Sequence, residues 1–528
     1  MTAIDTMEDG QPNWSQDMPT VQEVSGMMRN FGIWDYAVFV IMLIACGFVG
    51  IYFGFIKKSS GVDEYLVGGR NLKMFPVSLS LLASFISVTG VNVHVVTPFV
   101  CIVCIFYTCV GGLRAVVWTD FIQIFIMIGS MLLIIIKGTS DVGGLSLVIR
   151  RNMESERLEL PTADWSPLTR HTIWSLVIGG MVHWLQISAI NQNMIQRYLA
   201  LPTLRSARRA LWTFMIGVLL LLGICGYAGM LIYAWYHVCD PLTTKLAGAK
   251  DQLLPLLVMN ILRGYPGLPG LFVAGVFSAA LSSLSTGLNS MAAVVLEDFI
   301  KPFKKTPFTP KTADIILKLT VVVLGVMCVA LVFVVEKTGS HVLQLSTNLS
   351  SITSGPSLGI FSMGVLLPWI NAKGALIGGL AGLGFMGWIS LSAEAAIASG
   401  RIKFDEKPVT TEGCYYSFPQ VENLMLLEPP DNILDSDDFL PEPLALYRLS
   451  YLWYTITGAL VTMSVGLAVS LVSSEDVEKV DPMLLAPFIR KLLKKSSKEG
   501  RQIEVANLEL GPEARRTGEE NVVESVLH

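Results

Sequence analysis

The sequence predicts an all-α protein that lies within a membrane for most of its length, and three features predict it. Apolar residues make up 52% of the chain and charged residues only 15%, against about 25% charged in an ordinary soluble domain. The charges gather in a few stretches, separated by apolar runs of about 20 residues, the length a helix needs to cross the hydrocarbon core. The runs are continuous, without the two-residue alternation of barrel strands, so helices are expected. The formal net charge of −4 over 528 residues offers no basic surface to nucleic acid.

Full-length apolar runs fall at about 36–56, 118–137, 173–193, 211–236, 267–296, 315–336, 341–367, 373–397 and 450–472. Two shorter runs, at about 72–88 and 95–112, are separated by Thr89-Gly90-Val91-Asn92 and bring the expected spans to about eleven. The first 35 residues lack a basic segment followed by an apolar core and a small-residue cleavage site, so no cleaved signal is expected. Lys57, Lys58, Arg70, Arg114, Arg197, Arg205, Arg208, Arg209, Lys301, Lys304, Lys305 and Lys311 all fall in loops on one side if every span crosses. Basic loops stay in the cytosol. Residues 1–35 are then extracellular, 36–472 form the membrane domain and 473–528 a cytosolic tail, disordered from about 496. Arg150-Arg151 disagrees with this orientation. Asn13-Trp14-Ser15 is a sequon on the expected outside, so Asn13 is a glycosylation candidate.

Of the eight cysteines, six lie inside apolar runs, where free cysteine acts as a small hydrophobe. Cys101-x-x-Cys104 has a metal-like spacing but no second pair. Cys239 and Cys414 fall in loops and are the two available disulfide partners.

Three stretches carry chemistry. In the seventh span Ser278, Ser282, Ser285 and Asn289 recur three or four apart and share a helical face. Hydroxyl and carbonyl oxygens suit a hard cation, although small and hydroxyl residues also pack helices in bilayers. Asp120 stands near the start of the fourth span, either as part of an ion pathway or as a solvated carboxylate at a helix start. In the fifth span, Gly179-Gly180 with His183, Trp184, Gln186 and Asn191-Gln192-Asn193 reads either as a discontinuous helix lining a cavity or as a polar seam.

At this point a resemblance is visible. Gly111-Gly112-x5-Trp118-Thr119-Asp120-x2-Gln123, Asn191-Gln192-x3-Gln196-Arg197-Tyr198, Leu281-Ser282-Ser283 with Asn289 through Asp298, Ser354-Gly355-Pro356-x2-Gly359 and Asp481-Pro482-x-Leu484-Leu485 resemble the signatures of the sodium:solute symporter family, in its monocarboxylate, multivitamin and iodide branch. The resemblance implies an inverted five-helix-repeat, leucine-transporter-like fold. It implies symport of a small anionic organic solute, monocarboxylate or vitamin-like, across the plasma membrane, with Na+ as the coupling ion and no enzymatic activity. Residue by residue, it implies sodium ligands at the carbonyls of Ala83, Ile86 and Ala279 and the hydroxyls of Ser282 and Ser283. It further implies an ion exit at Asp120 and substrate-facing positions at Trp184 and Ile187.

One departure stands out. After Leu79 to Ser87 the family continues through the break of the first core helix and two further spans. Here Ser87 runs directly into Val88-Thr-Gly-Val-Asn-Val-His94, which resembles a loop much further along. The expected first repeat is therefore incomplete, lacking core helices two and three. A non-transporting membrane protein is the alternative reading.

Overall fold

A computed structural model describes residues 19–28, 32–56, 93–248, 250–262, 264–303, 308–337, 342–399, 401–402, 407–418, 444–473, 481 and 484–491. Asn13, Ala83, Ile86, the expected span at 72–88, the junction at Ser87 and the tail beyond 491 lie outside these residues.

Among the described residues, helices follow one another as α1 (Val21–Met28), α2 (Ile33–Ile51, extended by a π-turn Tyr52–Ile56), α3 (Val93–Val142) and α4 (Leu145–Glu154). Then come a π-turn Ser175–Gly179 leading into α5 (Gly180–Ala189), α6 (Gln192–Leu199), α7 (Leu204–Tyr236) and α8 (Leu253–Leu262). The last are α9 (Leu268–Val294), α10 (Pro310–Lys337), α11 (Val342–Leu366), α12 (Ala372–Ala398) and α13 (Tyr454–Val472). Eight described stretches are long and apolar enough to cross a membrane.

The expected spans at 95–112 and 118–137 are merged in α3. Its apolar part, Pro98–Val142, has 45 residues and would be roughly 68 Å long if straight, more than twice a hydrocarbon core of about 30 Å. Gly112 resolves this with φ 55° and ψ −157°, a backbone conformation open to glycine. The chain therefore turns there, between two spans. The fifth expected span is discontinuous: α5 ends at Ala189, and Asn191, with extended backbone, caps α6 by accepting the Asn193 N–H at 2.9 Å. The short apolar helix α8 was not foreseen.

The described residues divide into two compact units. The first holds residues up to Leu160, Asn191–Ser340 and Phe404–Pro441. Its centre is α9, which packs against α3, α2 and α10. Phe39 and Leu43 of α2, Tyr107 of α3 and Phe277 and Leu281 of α9 form one buried cluster. Ile134, Leu231, Leu257, Ile261 and Phe272 form another, joining α3, α7, α8 and α9.

A layer of loops and the short helix α1 belongs to this unit. Cys239 and Cys414 are joined in a disulfide with Cα atoms 4.9 Å apart, the pair singled out by their loop positions. Beside it the Tyr416 hydroxyl lies 2.9 Å from the Thr244 hydroxyl, and Val24 of α1 packs on Tyr416. Ser417 exchanges backbone hydrogen bonds with Pro19 and Val21. The discordant Arg150-Arg151 pair lies in α4, where Arg151 donates to the Ala234 carbonyl at 2.7 Å. A cation at the C-terminal end of α7 is favoured by the helix dipole.

The second unit comprises Pro161–Ile190, His341–Lys403 and Glu442 onward. Here α11, α12 and α13 pack closely through small residues, the usual means of bringing helices together in a bilayer. A Cβ on Gly355 would collide with the Cα of Gly458, so α11 and α13 touch backbone to backbone.

Candidate functional site

The hydroxyl face of α9 is buried. Ser278, Ser282, Ser285 and Asn289 all have no exposed surface, and Ala279 is buried beside them. Ser285 donates to the Ser282 carbonyl at 3.1 Å. The hydroxyls of Ser278 and Ser282 and both side-chain atoms of Asn289 have no hydrogen-bond partner among the described residues. A buried hydroxyl normally finds a partner, because leaving it unpaired costs about 1–3 kcal/mol. Each serine oxygen carries two acceptor lone pairs, so the face is a set of oxygen donors suited to a cation. Ser283 is half-buried on the adjoining face. Ala83 and Ile86 lie outside the described residues, so their carbonyls are not placed.

The Leu281 carbonyl, just before Ser282, accepts bonds from the Tyr107 hydroxyl at 3.3 Å and the Cys104 thiol at 3.7 Å. That is where Cys104 of the metal-like Cys101-x-x-Cys104 spacing goes: it is a buried free thiol that helps fix α9.

One turn beyond Ser282 the three signature stretches converge. Asp120 of α3 and Arg197 of α6, both with 0% side-chain exposure, form an ion pair at 2.8 Å. The same guanidinium nitrogen donates to the Thr286 hydroxyl of α9. Ser290, one turn further, donates to the Gln196 side chain at 3.0 Å. Gln123 of α3 donates to Cys46 of α2 at 3.4 Å.

Three expectations are corrected here. Arg197 is not a loop cation that reports orientation. The cap at Asn191 starts a new helix, and α6 carries Arg197 into the protein interior. Asp120 is not a solvated carboxylate at a helix start. It lies eight residues past the Gly112 turn and is wholly buried. Arg205, Arg208 and Arg209 occupy the first turns of α7 and not a loop, and Arg205, Arg208 and Arg209 remain exposed. Glu297 and Asp298, just past the end of α9, are exposed.

The substrate-facing candidates lie in the second unit. Trp184 and Ile187 are both half-buried on α5, three residues apart and so on one face. Polar contacts run beside them. His183 Nδ1 lies 3.4 Å from the Thr455 hydroxyl, which is 3.3 Å from that of Ser354. Gln186 donates to Ser357 at 3.4 Å. Gly179 lets the start of this segment approach closely, since a Cβ there would strike the Leu452 carbonyl. His183 is thus a packed, hydrogen-bonded histidine.

Comparison with known proteins follows the same lines. The model of the sodium:solute symporter family matches residues 83–382. Sodium-coupled monocarboxylate transporter 1 of Xenopus laevis is 31% identical, over 85% of this chain and 87% of that protein. Sodium-coupled monocarboxylate transporter 2 of Homo sapiens is 30% identical, over 95% of each chain. The Homo sapiens sodium/iodide cotransporter is 28% identical, over 94% of this chain and 92% of its own length. Among solved structures, a Na+-coupled sialic acid symporter in a substrate-bound outward-open state superimposes with a TM-score of 0.65 at 19% identity, covering 85% of this chain and all of that one. This likeness bears on the fold, which is the leucine-transporter-like one.

The buried pair makes a prediction of its own. Removing one partner of a buried ion pair costs about 3–5 kcal/mol, whereas removing both charges together costs far less. Asp120→Asn and Arg197→Gln should each lower the unfolding temperature of the purified protein markedly. The double variant should recover most of the loss. A double variant as unstable as the singles would mean that the charges do not act as a pair.

Proposed function

The chain belongs to the sodium:solute symporter family, and we infer that the solute it carries together with sodium is a small organic anion of the monocarboxylate class. It is a sodium-coupled secondary transporter of the membrane and not an enzyme. The observation that carries the site assignment is the partnerless, fully buried hydroxyl face of α9. On this reading Ser282 and Ser283, with the carbonyl of Ala279 and those of Ala83 and Ile86, hold the coupling ion. Trp184 and Ile187 face the solute. Two relatives named for monocarboxylates and one named for iodide support an anion.

Asp120 stands near the sodium exit. Because Arg197 already neutralises it, a departing ion meets a paired carboxylate, and its passage requires that pair to loosen. Sodium binding would stabilise the outward-open arrangement by joining the first core helix to α9, and alternating access would follow from one bundle rocking against another.

The protein sits in the plasma membrane with its N-terminus outside and its C-terminus in the cytosol. The exposed arginines at the start of α7 and the basic residues after α9 support this orientation. So does the disulfide layer, because disulfides persist in oxidising surroundings and residues 19–24 share the layer with Cys239 and Cys414.

A second reading has its own support. The alignment with the human monocarboxylate transporter 2 runs over 601 positions, more than the 528 residues of this chain. At least 73 of those positions therefore face gaps in this chain, a shortfall large enough to accommodate the loss of core helices two and three. Without those helices polar groups of the cavity would meet lipid, at several kcal/mol for each unsatisfied group. On this reading the chain as it stands transports little or nothing.

Three outcomes test these proposals. On the second reading, cells expressing this chain show little sodium-dependent uptake of labelled short monocarboxylates, while a form with the family's intervening helices restored between Ser87 and Val88 shows robust uptake at equal surface abundance; on the first, the two forms take up alike. Equal uptake by the two forms would make those helices dispensable. In the transporting form, Ser282→Ala with Ser283→Ala should raise the sodium concentration for half-maximal uptake by about tenfold, as expected from lost charge-assisted contacts of about 1.5 kcal/mol. An unchanged half-saturation would remove the hydroxyls from the site. Finally, a tag at the N-terminus should be labelled on intact cells and one at the C-terminus only after permeabilisation. Any other pattern overturns the orientation.

A further inference from the structure

Asp35 is a carboxylate with 5% of its surface exposed, in the first turn of α2. Among the described residues its hydrogen bonds all come from backbone amides. Gly32, the residue that precedes α2, donates to Oδ2 at 2.9 Å. Gly267 and Gly270 donate to Oδ1 at 3.0 and 2.9 Å. These two glycines are the capping residue and the third residue of α9, the helix that carries the hydroxyl face.

The first turn of a helix has amides with no partner within the helix. In α9 they are all accounted for: Pro269 has no N–H, Leu268 donates to the Tyr265 carbonyl at 3.2 Å, and Gly267 and Gly270 converge on Asp35. One helix therefore supplies the cap of another. A negative charge at that end is also favoured by the helix dipole. The chain is cut to fit. Gly267 adopts φ 87°, and a Cβ on Gly270 would overlap the backbone of Asp35. One turn along α2, the Phe39 ring meets that of Phe277 edge-on at 5.1 Å, and Phe277 immediately precedes Ser278.

Ser278 and Ser282 follow Gly270 by eight and twelve residues on the same helix, about 12 and 18 Å along its axis at 1.5 Å per residue. Fixing the first turn fixes the height and rotation of everything beyond it, because one residue of slippage turns a helical face by about 100°.

We propose that Asp35 is a positioning residue for sodium binding: by capping α9 from α2 it sets the register of the hydroxyl face. The proposal rests on the reading of Ser282 and Ser283 as sodium ligands. It does not require the chain to complete a transport cycle, so the test reads binding. The full chain is purified in detergent, and its unfolding temperature is followed as sodium replaces choline at constant ionic strength. The wild type should be stabilised by sodium with a saturable dependence. Asp35→Ala should raise the sodium concentration for half-maximal stabilisation by about tenfold, the scale of a lost charge-assisted contact. Asp35→Asn keeps one oxygen for the two α9 amides and should raise it less. Gly270→Ala leaves the carboxylate intact but pushes α9 away from α2, and should reproduce the Asp35→Ala effect. If Asp35→Ala does not fold, Asp35→Asn and Gly270→Ala decide. Variants that lose stability without sodium yet keep the wild-type half-maximal concentration would show a purely structural clamp and overturn the proposal. A wild type insensitive to sodium would instead overturn the sodium reading, and this proposal with it.

Discussion

The buried pairing of Asp120 with Arg197 is the constraint around which the first unit is organised. Two full charges removed from water each carry a desolvation cost of several kcal/mol, and neither residue has any exposed side chain. The structure tolerates them because they are 2.8 Å apart and because Thr286 gives the guanidinium a second acceptor. This fixes α3, α6 and α9 relative to one another at a point one helical turn from Ser282. Apolar packing alone gives little direction to helices in lipid, whose tails are as apolar as leucine. A charge pair has one good geometry, so it selects a single arrangement of the three helices. Gln196 with Ser290 and Gln123 with Cys46 extend that selection on either side.

Much of this was legible in the sequence where the signal was local. Span lengths follow from apolar runs, the hydroxyl face from a three-to-four spacing, and the break in the fifth span from glycines and amides in an otherwise apolar run. The Cys239–Cys414 bond followed from loop position. Other features were hidden because their partners are far along the chain. Arg197 follows an apolar run within a polar stretch, the same local pattern as a cytosolic loop cation. What distinguishes it is a carboxylate 77 residues earlier. Asp35 sat at the edge of an apolar run and read as the last residue of a soluble segment, since its amide partners are 232 and 235 residues away. The glycine- and proline-rich stretch Gly264 to Gly270 was the one available clue, because such a sequence at a helix start marks close approach by something. The helix α8 was too short at ten residues to register as a span.

The second unit depends on small residues, not on charge. Backbone contact between α11 and α13 at Gly355 and Gly458 leaves no room for side chains, and the hydroxyls of Ser354 and Thr455 sit at the same level. His183 and Gln186 extend these contacts to α5, whose residues are only half-buried or exposed. A short helix with polar anchors along one side and Trp184 and Ile187 beside them is well suited to adjusting its position, since few apolar contacts hold it.

The disulfide has a consequence for how the chain is made. Its two cysteines are 175 residues apart, and α8 to α12 lie between them. At typical rates of synthesis the second cysteine emerges about 10–35 s after the first. On the proposed orientation Cys239 waits until then as a free thiol in the lumen, where secretory proteins are oxidised, exposed to mixed disulfides with foldases or to mispairing. The bond can close only once Cys414 has been delivered to the same compartment, which requires the intervening helices to have been threaded in an even number of crossings. The oxidation state of Cys239 is thus a chemical record of whether membrane insertion of the chain has been completed in the right order.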